Sequence, residues 1–306
     1  MNRTNYGIIL SIIFIFILLS SPPAFSGWET GAKAGYDSNI DRAVKGGISD
    51  TFMTGFLSFT REPKEDTGTD WSLNLGLEGA RYAESTFLNY GMASITPSII
   101  FYPHAKWRVD ILSFAQAIAV KDEEQSSVAF GGEISMKQLW GPRYYTGEYF
   151  IYTDSKADVE IFSYKDKAVG VYAGVNWTDA FWSEIGYEFS RCDSFRAVEE
   201  IINTEIVASQ IFISQAGNGG QGNNGNGGTG QEGKGQYGTG NSPRYSEAYN
   251  EYIISEPVNR QIAGINTGYQ FTRHVFSFIN YAYVSYKGDA GDSVSHTGVI
   301  GVGYTF

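Results

Sequence analysis

Apolar and polar side chains alternate residue by residue along the last segment of the chain, which closes at Phe306. One side of this segment carries Tyr304, Val302 and Ile300. The other side carries Thr305, Gly303, Gly301 and Thr297, with Val299 as the one apolar exception. Alternation with a period of two predicts a strand with one face in lipid and one in a polar interior, as in a transmembrane β-barrel.

Similar segments recur along the chain, and short and long connections take turns between them. They predict an all-β fold, an antiparallel up-and-down barrel of about twelve strands, with short turns in the periplasm and long loops outside the cell. The strands are expected near residues 28–37, 51–61, 71–82, 90–102, 107–120, 128–140, 144–154, 165–177, 181–191, 260–271, 275–286 and 295–306. Pro97 lies inside one of them and predicts a bulge, because it removes a ladder hydrogen bond.

The connection over residues 192–259 is far longer than a hairpin needs, and we predict that it is an extracellular loop. Its centre, residues 217–240, is mostly Gly, Asn and Gln, which cannot bury a core. Its apolar flanks either prolong the neighbouring strands or add two strands, for about fourteen in all. We favour twelve, because fourteen would put the Gly-rich tract on the periplasmic rim.

Residues 1–26 have the pattern of a secretory signal peptide, with cleavage expected after Ser26 and a barrel over 27–306. The apolar run Ile8–Leu19 is too short to span a membrane, which takes about 20 residues. The single cysteine, Cys192, rules out an internal disulfide. The formal net charge of -11 argues against nucleic acid as a partner. The expected surroundings are the lipids of a Gram-negative outer membrane.

Every tryptophan falls at the end of a predicted strand, beside the N-terminus or a short turn. The six are Trp28, Trp71, Trp107, Trp140, Trp177 and Trp182. Indole favours the membrane interface, where its ring is in apolar surroundings and its N–H is wet. The placement predicts an aromatic girdle at one rim and disfavours a soluble β-sandwich.

The motifs that could carry chemistry do not complete a site. Asp37, Asn39 and Asp41 have the spacing that opens a calcium loop, but Arg42 stands where that loop needs Gly. An Asx turn is the preferred interpretation of these residues. Ser295 and His296 are neighbours on a strand and point to opposite faces, so they do not form a nucleophile–base pair. We predict no catalytic, cofactor-binding or metal-binding residue.

The polar face of the predicted strands supplies candidates for a water-filled lumen, because a carboxylate that faces lipid is costly. The pore-lining candidates are Glu29, Lys33, Glu78, Glu133, Lys137, Glu148, Glu184 and Glu188. Two interpretations stay open. Rings of carboxylate favour cations in a channel. Alternatively, an internal salt-bridge network fills a narrow barrel, for example Glu133 with Lys137 or Lys33.

Gly35–Ile40, with the sequence Gly-Tyr-Asp-Ser-Asn-Ile, resembles an element near the start of several outer-membrane barrel families. These families include beta-barrel porin type 2 proteins and the barrel of surface lipoprotein assembly modifiers. The terminal Phe306 resembles the signal by which such barrels engage the barrel-assembly machinery. The resemblance implies an outer-membrane barrel with a role in passive transport.

The sequence therefore predicts a porin-like outer-membrane channel for passive diffusion of small hydrophilic or cationic solutes. The alternative is a non-conducting barrel that serves an export or surface-assembly complex. An enzyme at the barrel rim is disfavoured, because none of the histidines has a placed partner.

Overall fold

The chain winds into one antiparallel sheet that closes on itself. We describe residues 26–61, 68–198, 244–246, 248–249 and 251–306 of a computed structural model. Twelve strands follow each other around the ring, and the pairings β1–β13 and β9–β11 leave it without an edge. The short strand β10 adds to the outer part of β11. Closure satisfies the backbone hydrogen bonds internally, as lipid requires. The prediction of twelve barrel strands, rather than fourteen, is confirmed.

The strand bounds follow the predicted segments closely. They are β1 Ser26–Asp37, β2 Asp50–Arg61, β3 Thr69–Tyr82, β4 Tyr90–His104, β5 Trp107–Val120, β6 Ser127–Leu139, β7 Tyr144–Ala157, β8 Tyr164–Asn176, β9 Phe181–Val198, β10 Arg244–Ser246, β11 Glu251–Gln270, β12 Val275–Gly288 and β13 Gly291–Thr305. Single helical turns lie at Thr86–Leu88, Glu123–Gln125 and Glu160–Phe162. Among the described residues no helix has the length and apolarity needed to cross a membrane.

Strands β9 and β11 are longer than predicted. They pair continuously from Tyr269 with Phe181 to Tyr252 with Val198. Residues 192–198 and 251–259, expected to be loop, therefore prolong strands β9 and β11. The end of the second apolar flank, residues 251–254, belongs to β11, whereas the first flank, residues 201–214, lies outside the described residues. Residues 1–25 and 199–243, which hold nearly all of the predicted signal and the whole Gly-rich tract, lie outside the described residues.

The prediction of a bulge at Pro97 is wrong. The register of β4 against β5 is the same before and after this residue, from Ile95 with Ala115 to Ser98 with Leu112. The missing N–H of proline removes only local pairing with β5, while pairing with β3 continues through Leu73. The register shifts instead between Phe101 and His104, beside the turn.

The outer face of the barrel is an apolar band. Along β9, for example, Ile185, Tyr187 and Phe189 point outward and are 61%, 45% and 40% exposed. Four tryptophans lie exposed on this face at the short-turn end: Trp71, Trp107, Trp140 and Trp177. Trp28 packs there on Phe59 with ring centroids 5.2 Å apart. This surface fits lipid.

The prediction that all six tryptophans form the girdle is wrong for Trp182. It shares its strand face with Glu184, and its indole lies against Gly268 on the lumen side. The residue is at the expected rim, but strand alternation turns its ring inward. The position of a tryptophan at a strand end therefore identifies the rim of the barrel, but not whether the ring faces lipid or the lumen.

Candidate transport lumen and its outer mouth

Strand alternation and register place seven of the eight predicted lumen residues on the inner face. They are Glu29, Lys33, Glu78, Glu133, Lys137, Glu184 and Glu188. Glu184 and Glu188, for instance, alternate with the exposed Ile185 and Tyr187. The inner face is thus polar and charged along much of its height.

Glu148 is the exception, and its predicted place in the lumen is wrong. It pairs with Met136 on β6 and with Val171 on β8, and Val171 is 57% exposed on the outer face. Gln138 Nε2 donates a hydrogen bond to its carboxylate at 2.9 Å. The error arises because β7 carries aromatic residues on both faces here, so the apolar set does not identify the lipid side.

Several lumen charges pair with each other. Lys33 Nζ lies 2.6 Å from Glu78 Oε2. Arg260 Nη2 bridges Asp166 Oδ2 at 2.6 Å and Glu188 Oε1 at 2.9 Å. These pairs differ from the suggested partners of Glu133, which has no ion pair with a lysine or arginine among the described residues.

Acidic groups outnumber basic groups on this inner wall. On the inner face of the described strands the carboxylates are Glu29, Asp37, Asp50, Asp70, Glu78, Asp110, Glu133, Asp166, Glu184, Glu188 and Glu256. The cations on this face are Lys33, Arg108, Lys137, Arg196 and Arg260. Sequence reasoning missed Arg108, Asp110, Asp166 and Arg260, which only the register assigns to the interior. Eleven carboxylates against five cations on the described strands leave a negative interior, which attracts cations.

Nine of the aromatic rings that face the lumen each lie over a glycine of the neighbouring strand. A Cβ added at that glycine would meet the ring. The pairs are Phe52 over Gly35, Phe56 over Gly31, Phe114 over Gly131, Tyr145 over Gly174, Tyr149 over Gly170, Tyr172 over Gly147, Trp182 over Gly268, Phe276 over Gly303 and Phe278 over Gly301. Glycine leaves room for the ring to lie along the wall rather than across the interior.

Two of these rings reach across the glycine to a glutamate on the next strand. Tyr145 pairs with Gly174, which pairs with Glu184, and Tyr145 Oη donates to Glu184 Oε2 at 3.1 Å. Four residues along, Tyr149, Gly170 and Glu188 repeat the arrangement with a hydrogen bond of 2.7 Å. We call these the lower and upper Tyr–Gly–Glu rows.

Gly170→Ala is expected to push the Tyr149 ring away from the wall and break its hydrogen bond to Glu188. Overpacking of this kind costs about 1–3 kcal/mol. Gly186→Ala is the matched control, because the nearest atom to a Cβ at Gly186 is at an ordinary 3.6 Å. Thermal unfolding of the refolded barrel measures the difference. Equal destabilisation by both changes would contradict the packing described.

The end of the barrel with the long connections, its outer mouth, carries a second core. This mouth cluster consists of Ala43, Ile161, Phe162, Ala197, Tyr249 and Ile253. Phe87 packs on Tyr249 with ring centroids 5.1 Å apart. Phe87 belongs to the β3–β4 connection and Tyr249 to the β9–β11 connection, with six barrel strands between them either way around the ring. Their contact therefore spans the mouth.

A buried ion pair ties three connections together over this mouth. Arg196 is fully buried, and its Nη1 lies 2.8 Å from Glu256 Oε1. The same Nη1 donates to the carbonyl of Gly291 at 2.6 Å, and Ala290 N donates to Glu256 Oε2 at 3.0 Å. Arg42 Nη1, from the first connection, donates to Ser194 at 2.9 Å. The β9–β11 hairpin is thus fixed to the first and last connections.

We expect Asp41 to make the closed mouth sensitive to pH. The residue is fully buried, and burial raises the pKa of its carboxyl, although Ile48 N donates to Oδ1 at 3.0 Å and opposes the shift. A raised folded-state pKa means that Asp41 favours the closed mouth below its ordinary pKa of about 4 and loses this effect as pH rises through the folded value.

Acid is therefore expected to protect the Ile48 amide, and this protection should fall as the pH rises from about 4. Hydrogen exchange at this amide, corrected for its intrinsic pH dependence, provides the measurement. Asp41→Asn should remain protected throughout. A wild-type amide that becomes more protected with rising pH would refute the assignment.

The motifs of the first and last strands behave as ordinary structure. Asn39 N donates to Asp37 Oδ1 at 2.9 Å, which confirms the Asx turn. Ser295 points inward and its hydroxyl donates to Asp37, whereas His296 points outward and its Nδ1 lies 2.8 Å from Tyr281 Oη. The predicted separation of Ser295 from His296 is confirmed.

No protein-family model and no curated protein matches the sequence. Among solved structures, an outer membrane channel from Pseudomonas putida F1 aligns with a TM-score of 0.54, 7% identity, and coverage of 94% of this chain and 99% of that chain. The fold is an outer-membrane β-barrel. The KdgM porin aligns at a TM-score of 0.47 and 7% identity, over 90% of this chain and 99% of its own. The NanC porin aligns at a TM-score of 0.46 and 9% identity, over 90% of this chain and 98% of its own.

Proposed function

We propose that this protein is a porin-like channel that lets small hydrophilic solutes diffuse across a bacterial outer membrane, with a preference for cations. The observation that carries the proposal is the excess of carboxylates on the inner wall. In an open barrel these groups would concentrate cations along the path. The rings that lie over glycines support the same proposal, because they keep bulky side chains close to the wall.

The mouth cluster favours a second candidate function. Because connections from opposite sides of the ring meet there, the barrel in this structure is covered at its outer end. A barrel that stays covered would be a non-conducting accessory component of an export or surface-assembly complex. The proposed channel instead requires that the cover opens.

Location and assembly partner belong to the same proposal. The apolar outer band and the exposed tryptophans support insertion among outer-membrane lipids. Phe306 is 67% exposed beside Tyr304, which suits recognition by the barrel-assembly machinery. A chain without Phe306 that still shows full heat-modifiable migration from cells would argue against this role.

Recording the refolded protein in a planar bilayer tests the proposed function. We expect infrequent openings, with a reversal potential in a KCl gradient that indicates cation preference. A correctly folded barrel that never conducts, even after its mouth cluster is disrupted, would favour the accessory role. Openings with anion preference would overturn the proposed selectivity.

A further inference from the structure

The two lumen-facing lysines of the described strands both dock on lumen rings that cover a glycine. Lys33 Nζ lies 5.4 Å from the centre of the Phe56 ring and 2.6 Å from Glu78. Lys137 Nζ lies 3.9 Å from the centre of the Tyr145 ring, in the lower Tyr–Gly–Glu row. Each ammonium thus has an aromatic face below it and a carboxylate nearby, the arrangement that stabilises a cation–π contact.

The upper Tyr–Gly–Glu row has the same ring and carboxylate without a lysine. No described lysine or arginine lies over the Tyr149 ring. Arg260 holds one oxygen of Glu188 at 2.9 Å, and Tyr149 Oη holds the other at 2.7 Å. The hydroxyl bond fixes the ring along the wall, with its face toward the interior.

Glu133 adds a second carboxylate to this row. On β6 it is the diagonal neighbour of Tyr149, since Ser135 is the residue directly opposite that tyrosine. The register places Glu133 on the same face of the wall as Tyr149 and Glu188. Glu133 has no ion pair with a basic residue of the described strands. A cation over the Tyr149 ring would therefore gain an unneutralised carboxylate beside it.

We propose that the Tyr149 ring, together with Glu133 and Glu188, forms a lumen site for the ammonium group of small alkylammonium solutes. This names a solute class for the channel and rests on the proposed function. Lys137 on the Tyr145 ring shows the contact within the chain itself, since its side chain is an alkylammonium. An inorganic cation retains its hydration and gains less from a ring face than an alkylammonium does. We infer that the solute enters from the end with the short turns, because the mouth cluster lies at the other end of the barrel.

Calorimetric titration of the refolded protein in a zwitterionic detergent with n-butylammonium chloride tests the site, with n-butanol and KCl as comparison solutes. We expect saturable binding of one butylammonium per barrel and none of butanol. Tyr149→Leu and Glu133→Gln should each weaken binding about tenfold, while Tyr149→Phe, which retains the ring, should stay within about threefold. Tyr187→Leu is the control, because Tyr187 is on the outer face of the same wall.

Lys137→Ala gives a sharper result. Removal of this side chain uncovers the Tyr145 ring beside Glu184, and the stoichiometry should rise from one to two. Wild-type protein without saturable binding, or Tyr149→Leu binding as tightly as wild type, would overturn the proposal; heat-modifiable migration confirms that each variant is folded. Binding without any conductance would reject the proposed channel while leaving the site intact. Cation-selective conductance without Tyr149-dependent binding would reject the site alone.

Discussion

Glu256→Ala is expected to open the outer mouth and raise the open probability of the barrel several-fold or more. The change leaves Arg196 as a buried charge without its partner, and breaking a buried pair in this way costs about 3–5 kcal/mol. The loss falls on the contacts between the β9–β11 hairpin and the first and last connections. The membrane strands do not depend on this pair, so the barrel should remain folded.

Single-channel recordings of the variant measure the effect, and heat-modifiable migration verifies folding. Glu123→Ala serves as the matched control, because Glu123 is an exposed acidic residue at the same end of the barrel. An unchanged open probability in a folded Glu256→Ala barrel would show that the ion pair does not hold the mouth closed. Loss of the folded band would show that the pair supports the barrel itself.

Replacing both Glu184 and Glu188 by Gln is expected to lower cation preference strongly. The two residues lie four apart on β9, about 13 Å along the strand at a rise of about 3.3 Å per residue. The double change leaves nine carboxylates against five cations on the inner face of the described strands. Side-chain volume barely changes, so the effect on selectivity reports charge rather than pore size.

Reversal potentials at low and high salt provide the measurement, and the shift should be larger at low salt, where screening is weak. Glu148→Gln is the control, since it removes one carboxylate charge from the outer face by the same substitution. Equal shifts in the double variant and the control would contradict the assignment of faces. In a barrel that never opens, the double change should instead lower thermal stability, because Arg260 would lose one of its partners.

The sequence predicts the fold well because the residues of a barrel strand alternate between a lipid-facing side, which is apolar, and a lumen-facing side, which is polar or small. The final strand shows this clearly, with Ile300, Val302 and Tyr304 outward and glycines inward. The same rule fails where both environments accept the same residue type. Tyr145 and Phe150 are both aromatic, yet the first covers a lumen glycine and the second meets lipid.

The lumen rings and the mouth cluster could not be predicted for a different reason. A ring over a glycine depends on which residues face each other across two strands, and hydrophobic alternation does not supply that register. The contact of Phe87 with Tyr249 joins connections that are far apart in sequence. Single apolar residues in loops carry no signal that identifies such a partner.

The rings over glycines also penalise a wrong register at five of the strand pairings during assembly: β1–β2, β5–β6, β7–β8, β9–β11 and β12–β13. Tyr149 fits only opposite Gly170, whose neighbours on the same face are Ala168 and Tyr172. A slip of one residue would turn the tyrosine into lipid, and a slip of two would set its ring against one of those side chains. Nine such fits are distributed around the ring. Misaligned intermediates are thus penalised locally, at these five pairings, before the barrel closes.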